Sequence, residues 1–188
     1  FFYLNNMTSM FSINGLLYGG YFAISLLYLG LILADQPRLT RIVGVIAVVW
    51  AALVHMGTGA IFGFIAAREA WFSPLRPFEF LAAALASGLA LLIVVLVVTF
   101  WLTGRQVGKE MLVPLGRLLA ALIVALMLLI FVDKLTHLYE PARGATVFTL
   151  TGQYSWIFWG LQVSMVALIP LALLLYPRTA RTVRGVFV

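Results

Sequence analysis

Asp133 and His137, four positions apart in a long apolar run, are both of a kind able to do chemistry. That spacing puts both side chains on one face of a helix. Such a pair either stabilises the helix or passes a proton, since histidine is the side chain that ordinarily changes charge between pH 5 and 8. Lys134, between them, is expected to point elsewhere and to snorkel outward. Glu79 lies at the start of another apolar run, where a carboxylate either complements the helix dipole or serves as a second proton carrier. His55 sits about 13 residues from either end of its run, near the midplane of a bilayer at 1.5 Å per residue. It either bonds a carbonyl or takes part in proton transfer, as ionisable groups within spans commonly do. Arg76 and Trp71 occupy a short loop beside Glu79, and Tyr139 follows His137 by two residues.

Several chemistries are excluded. The chain has no cysteine, which rules out disulfides, thiolate chemistry and an iron–sulfur cluster ligated by this chain. Its two histidines would differ in depth by roughly 10 Å, whereas two axial ligands of one haem lie at nearly the same level. Haem b is therefore not expected. No metal site is expected either, because no ligand cluster has a recognisable spacing.

The elements that must position these residues are transmembrane helices. Of 188 residues 64% are hydrophobic and 10% charged, with a mean hydropathy of +1.11. Soluble domains are about 25% charged, so this chain is an integral membrane protein. Its net charge of +6 belongs to topology and does not imply nucleic acid. Five runs reach the roughly 20 residues needed to cross a 30 Å hydrocarbon core: residues 13–34, 42–67, 78–103, 117–138 and 154–176. The expectation is an all-α, polytopic helix bundle forming one transmembrane domain over residues 1–188.

Residues 1–12 read as an interfacial segment with Asn5, Asn6, Thr8 and Ser9 as turn or cap candidates. Residues 104–116 read as a polar connector, and residues 142–153 as a loop. Pro141 and Pro177-Arg178 close the last two spans. Lys and Arg set the orientation. Arg38, Arg41, Arg105, Lys109, Arg117, Arg178, Arg181 and Arg184 fall on one side, and Arg68, Arg76, Arg143 and Lys134 on the other. The first side is assigned to the cytoplasm, which puts the Trp71–Arg76 loop outside, in the periplasm of a Gram-negative cell. Small residues at helical spacing, such as Gly57, Gly59 and Gly63, are expected to let helices approach closely.

Particular runs carry a resemblance. They are His55-Met-Gly-Thr-Gly-Ala-Ile-Phe-Gly63, Ala67-Arg-Glu-Ala-Trp71-Phe-Ser-Pro-Leu75, Pro77-Phe-Glu-Phe-Leu81 and Ala84-Leu-Ala-Ser-Gly88. Together with Thr8-Ser9-Met10 and the stretch from Tyr154 through Trp159 to Ile169-Pro170-Leu171, they resemble the NrfD/PsrC family. These are membrane-anchor subunits of polysulfide reductase-like complexes. A His in the second span and an acid in the fourth look closer to members from sulfur metabolism and alternative complex III. The family normally has eight or more spans in two four-helix bundles. With a start at Phe1, this leads to the expectation of further helices upstream. A quinone-contacting His found on an early helix in some members has no matched counterpart here.

The resemblance implies a subunit of a respiratory oxidoreductase in a bacterial or archaeal cytoplasmic (inner) membrane. It implies a menaquinone or ubiquinone site near the outer face and a ferredoxin-like iron–sulfur partner among further subunits. Asp133 and His137 are then the first choice for proton exchange with the quinone, and Glu79 the second. His55 lies deeper, on a path toward the opposite side. Arg76 and Trp71 are expected to bound the quinone pocket or meet the partner subunit, and Tyr139 is a further expected quinone contact. Two other readings stay open on the residues alone: a proton-translocating or transport subunit without a quinone site, and a purely structural anchor.

Overall fold

The computed structural model describes residues 9–65, 67–68, 71–105, 107–140 and 143–175. The expected turn residues Asn5, Asn6 and Thr8, the stops at Pro141 and Pro177, and Arg178, Arg181 and Arg184 lie outside the described residues. The described residues form helices joined by turns: α1 (Met10–Leu33), α2 (Pro37–Gly63), α3 (Arg76–Leu102), α4 (Lys109–Tyr139), α5 (Gly144–Thr151), a π-helical segment (Ile157–Leu168) and α6 (Ile169–Leu175). Five stretches are long and apolar enough to cross a membrane: the first four helices and the continuous run Ile157–Leu175. The chain carries two compact units, residues 1–81 and 82–188.

In the first unit, α1 and α2 form a hairpin. Ser9 caps α1, its hydroxyl accepting from the Ser12 N–H at 3.1 Å. At the other end Gln36 N–H reaches the Leu31 carbonyl and Asp35 N–H the Ile32 carbonyl. This is the Schellman pattern, in which one left-handed residue closes the last turn. Asp35 takes that position with φ +50°, and Pro37, pre-set for a first helical turn, starts α2 immediately.

Lipid supplies no hydrophobic drive for pairing two apolar helices, so small residues and polar ties must hold the hairpin. Asn14 Nδ2 donates to Thr58 Oγ1 at 3.2 Å, and the Trp50 indole donates to the Leu17 carbonyl at 2.8 Å. A Cβ on Gly57 would lie 2.5 Å from Asn14 Oδ1, and one on Gly20 would lie 2.5 Å from the Trp50 ring.

The second unit packs the later part of α3 against α4 and the last span. Its core is Ile93 of α3, Leu112, Ala120 and Ile123 of α4, and Ala167 and Leu174 of the last span. Here α4 departs from expectation. It begins at Lys109, inside the stretch read as a connector, and runs 31 residues through Pro114. Proline withholds the N–H that would reach the carbonyl four residues back. That carbonyl belongs to Glu110 in the first turn, where the chain is exposed. The near-complete burial of Leu112 favours continuing the helix over breaking it.

The stretch read as a loop contains α5. Its Thr149 and Thr151 hydroxyls donate to the carbonyls of Ala145 and Val147. The π ladder that follows ends where its chemistry must. Ile169 N–H donates to the Ser164 carbonyl, five residues back. The next donor would be residue 170, a proline without an N–H, and the α pattern takes over.

Candidate functional site

The last two turns of α4 carry Asp133 and His137 at i and i+4 on one helix face, and Glu140 follows as the C-cap residue at i+7. Asp133 is 1% exposed and His137 5%, while the Glu140 side chain is 43% exposed. His137 Nδ1 lies 2.9 Å from Glu140 Oε2, a hydrogen bond. His137 Nε2 lies 3.6 Å from Asp133 Oδ1, within ion-pair range but too long for a hydrogen bond. Among the described residues that nitrogen has no hydrogen-bond partner. A string therefore leads from the helix end to a fully buried carboxylate, with one loose link beside the imidazole. Closing that link takes a shift of less than about 1 Å.

Ionised carboxylates only accept hydrogen bonds, whereas an imidazole can take a proton at one nitrogen and release it from the other. The arrangement can therefore relay a proton. It cannot chelate an ion, because the two carboxylates face opposite ring nitrogens. Among the described residues no group of three His, Asp or Glu could hold a metal.

Two residues here differ from the sequence expectation. Lys134 does not point away: its Nζ lies 3.3 Å from Asp133 Oδ2, with the side chain 17% exposed. A flexible four-carbon stem lets the ammonium turn back to the carboxylate one residue before it, which favours pairing over snorkelling. Glu140 reads in the sequence only as the end of the span. Its spacing of three from His137 and seven from Asp133 is the signal that could have found it.

The first unit holds the other carboxylate that is buried among the described residues. After α2 the chain folds straight back on itself: Ser73 N–H donates to the Gly63 carbonyl at 2.9 Å, and Leu75 N–H to the Ser73 hydroxyl. A Cβ on Gly63 would meet the Ser73 carbonyl at 2.6 Å, and one on Gly59 the Arg76 carbonyl at 2.6 Å. Glycines four residues apart thus seat the start of α3 on the end of α2. On that seat Arg76 Nη1 donates to Glu79 Oε2 at 2.7 Å, i to i+3 across the first turn, and Glu79 is 6% exposed. Trp71 packs edge-on against Phe62, whose other neighbour is the stacked ring of Phe80.

Two expected residues remain, His55 and Tyr139. His55 is exposed on α2, and its Nδ1 donates to the Ala51 carbonyl at 2.8 Å. A carbonyl can only accept, so this bond fixes the proton on Nδ1 and leaves Nε2 to the surroundings. Tyr139 is 85% exposed at the end of α4.

Two concavities complete the description. An apolar groove of about 580 Å³ runs between α4 and the last span. A shallower one of about 610 Å³ at the α1–α2 turn is lined by Asp35, Thr40 and Arg41. The larger volume marks nothing chemical, because it sits at the opposite end of α2 from Gly63 and its Asp35 is exposed.

Comparison with known proteins follows the same lines. The chain is 36% identical over 185 residues to the Hdr-like menaquinol oxidoreductase integral membrane subunit of Archaeoglobus fulgidus, a match covering 96% of this chain and 47% of that protein. It is 34% identical over 148 residues to a selenate reductase subunit of Mesobacillus selenatarsenatis, covering 77% of this chain and 34% of that protein. The chain thus spans about half the length of the first relative and a third of the second. No solved structure matches it significantly. Residues 1–188 match the family described as polysulphide reductase, NrfD. With five membrane-length helices, the chain is a multi-pass prokaryotic membrane protein that belongs to the NrfD family.

Proposed function

We propose that this chain serves as the quinone-handling membrane subunit of a multi-subunit redox complex, with Asp133, His137 and Glu140 carrying the protons that the quinone exchanges. The observation that carries the reading is the graded exposure of that string, from an accessible carboxylate through an imidazole to a fully buried carboxylate. Oxidising one quinol releases two protons and two electrons, and reducing one quinone takes both up. The protons pass through His137 to and from Glu140, at the face that the Lys/Arg distribution assigns to the outside. The electrons pass to or from an iron–sulfur cluster in a ferredoxin-like partner subunit. The Archaeoglobus relative is by name a menaquinol oxidoreductase subunit, which supports menaquinone as the quinone class.

Asp133 holds or gives up a proton at Oδ1, 3.6 Å from His137 Nε2, a gap that a small movement of either side chain closes. The Arg76–Glu79 pair is assigned first to holding the loop, since its carboxylate is already engaged by a cation at 2.7 Å. Glu79 is the second candidate for proton exchange, and His55 the candidate for a deeper path.

The test is quinol-linked turnover of the assembled complex carrying Asp133→Asn or His137→Ala. General acid–base groups contribute roughly 10²- to 10⁴-fold, so turnover falls by at least about 100-fold in each with assembly retained. Unchanged turnover contradicts the reading. The same graded string also favours proton conduction without a quinone; coupled proton flux that persists after quinone extraction would favour that alternative.

A further inference from the structure

About a quarter turn around α4 from the acid–base string lies the apolar groove of the second unit. Leu128, Phe131 and Lys134 of α4 form one wall, and Phe158, Trp159 and Leu168 of the π-helical segment form the other. Leu128, Phe131 and Leu168 are exposed, so the groove opens on the helix surface. The Trp159 indole N–H is satisfied by the Leu150 carbonyl at 2.9 Å. Lys134 is thus the charged side chain of this lining, and its Nζ is also the atom 3.3 Å from Asp133 Oδ2.

We infer that this groove binds the ring and first isoprene units of a quinone, with Lys134 donating to a ring carbonyl oxygen. The inference rests on the quinone reading above and adds to it a location and a contact residue. Three observations select the ligand. Its volume of about 580 Å³ falls within the roughly 300–1,000 Å³ typical of small-molecule sites, and its apolar walls match an isoprenoid chain. An ammonium has three N–H donors, and Asp133 takes one. The charge of Lys134 is already balanced by that buried carboxylate, so a neutral acceptor such as a quinone carbonyl fits better than a lipid phosphate, which would compete with Asp133 for the same cation. The same lysine thereby joins the groove to the proton string.

The experiment is a titration of the assembled complex in nanodiscs with a photoreactive quinone analogue. Lys134→Met weakens binding about tenfold or more, as expected for losing a hydrogen bond to a charged donor. Leu128→Trp, which fills the groove from an exposed position, weakens it comparably. Lys134→Arg stays within a few-fold of the parent, and Leu161→Trp, exposed on the π-helical segment but outside the groove, leaves binding unchanged. If the Lys134→Met complex does not assemble, Leu128→Trp and Lys134→Arg decide the matter. Parental binding in both groove variants overturns the inference while leaving the quinone reading intact. Loss of a co-purified phospholipid from the groove variants, with analogue binding unchanged, makes the occupant a lipid and overturns it as well. A parent complex that binds no analogue removes the quinone reading, and this inference with it.

Discussion

Glu79 and Asp133 are both buried carboxylates near helix ends, yet the chain treats them differently. Glu79 sits in the first turn of α3, clamped at 2.7 Å by Arg76 on a seat made by Gly59 and Gly63. Asp133 sits in the last turns of α4, with Lys134 at 3.3 Å and His137 at 3.6 Å among its neighbours. A short, charge-assisted bond is strong and geometrically committed. A contact of 3.6 Å beside a titratable ring is made or broken by a small side-chain movement. The first arrangement suits a fastening and the second suits chemistry.

The largest effect that could break this contrast comes from removing the clamp. Arg76→Ala removes the cation 2.7 Å from a buried carboxylate, and breaking a buried ion pair in this way costs about 3–5 kcal/mol. Thermal unfolding and yield of the purified complex should fall accordingly, while turnover per assembled complex changes little. A normal yield with lost turnover would move Arg76 from fastening to chemistry. Next is the seat. Gly63→Ala forces a Cβ against the Ser73 carbonyl at 2.6 Å, and overpacking of this kind costs about 1–3 kcal/mol. A lowered melting temperature checks it, and an unshifted one would mean that the return of the chain after α2 is not close-packed.

The smallest change sharpens the other side of the comparison. Glu140→Gln keeps a hydrogen-bonding group beside His137 Nδ1 but removes the exposed proton carrier. Because water can reach that position, turnover should drop only a few-fold, within the span of about 0.2–1 kcal/mol assigned to exposed ionic contacts. Steady-state rates across a pH series measure it. A loss as deep as that of Asp133→Asn would make Glu140 an obligatory station on the path.

Much of this architecture is legible in the residues themselves. Apolar runs of bilayer length announce their helices, because a backbone in lipid has few other ways to satisfy its polar groups. The i, i+4 spacing of Asp133 and His137 likewise predicts a contact that the helix delivers. Legibility fails where tertiary packing outweighs local signals. Lys109, Glu110 and Pro114 suggest a connector, but the burial of Leu112 favours helix over these residues. The π ladder at Ile157–Leu168 has no periodic signature, and only the Pro170 that stops it is visible in the sequence. Lys134 departs from expectation because its position on the helical wheel does not say where a flexible stem will turn. Glu140 escapes notice because a residue beside a proline reads first as punctuation.

On this reading proton chemistry belongs to the α4 string and fastening to the α3 clamp. Quinol-linked turnover of the assembled complex, compared between Asp133→Asn and Glu79→Gln, tests it most directly. The account predicts a loss of at least about 100-fold for Asp133→Asn, and less than about tenfold per assembled complex for Glu79→Gln, whose cost appears in stability instead. Equal losses, or a deeper loss in Glu79→Gln with normal assembly, would contradict it.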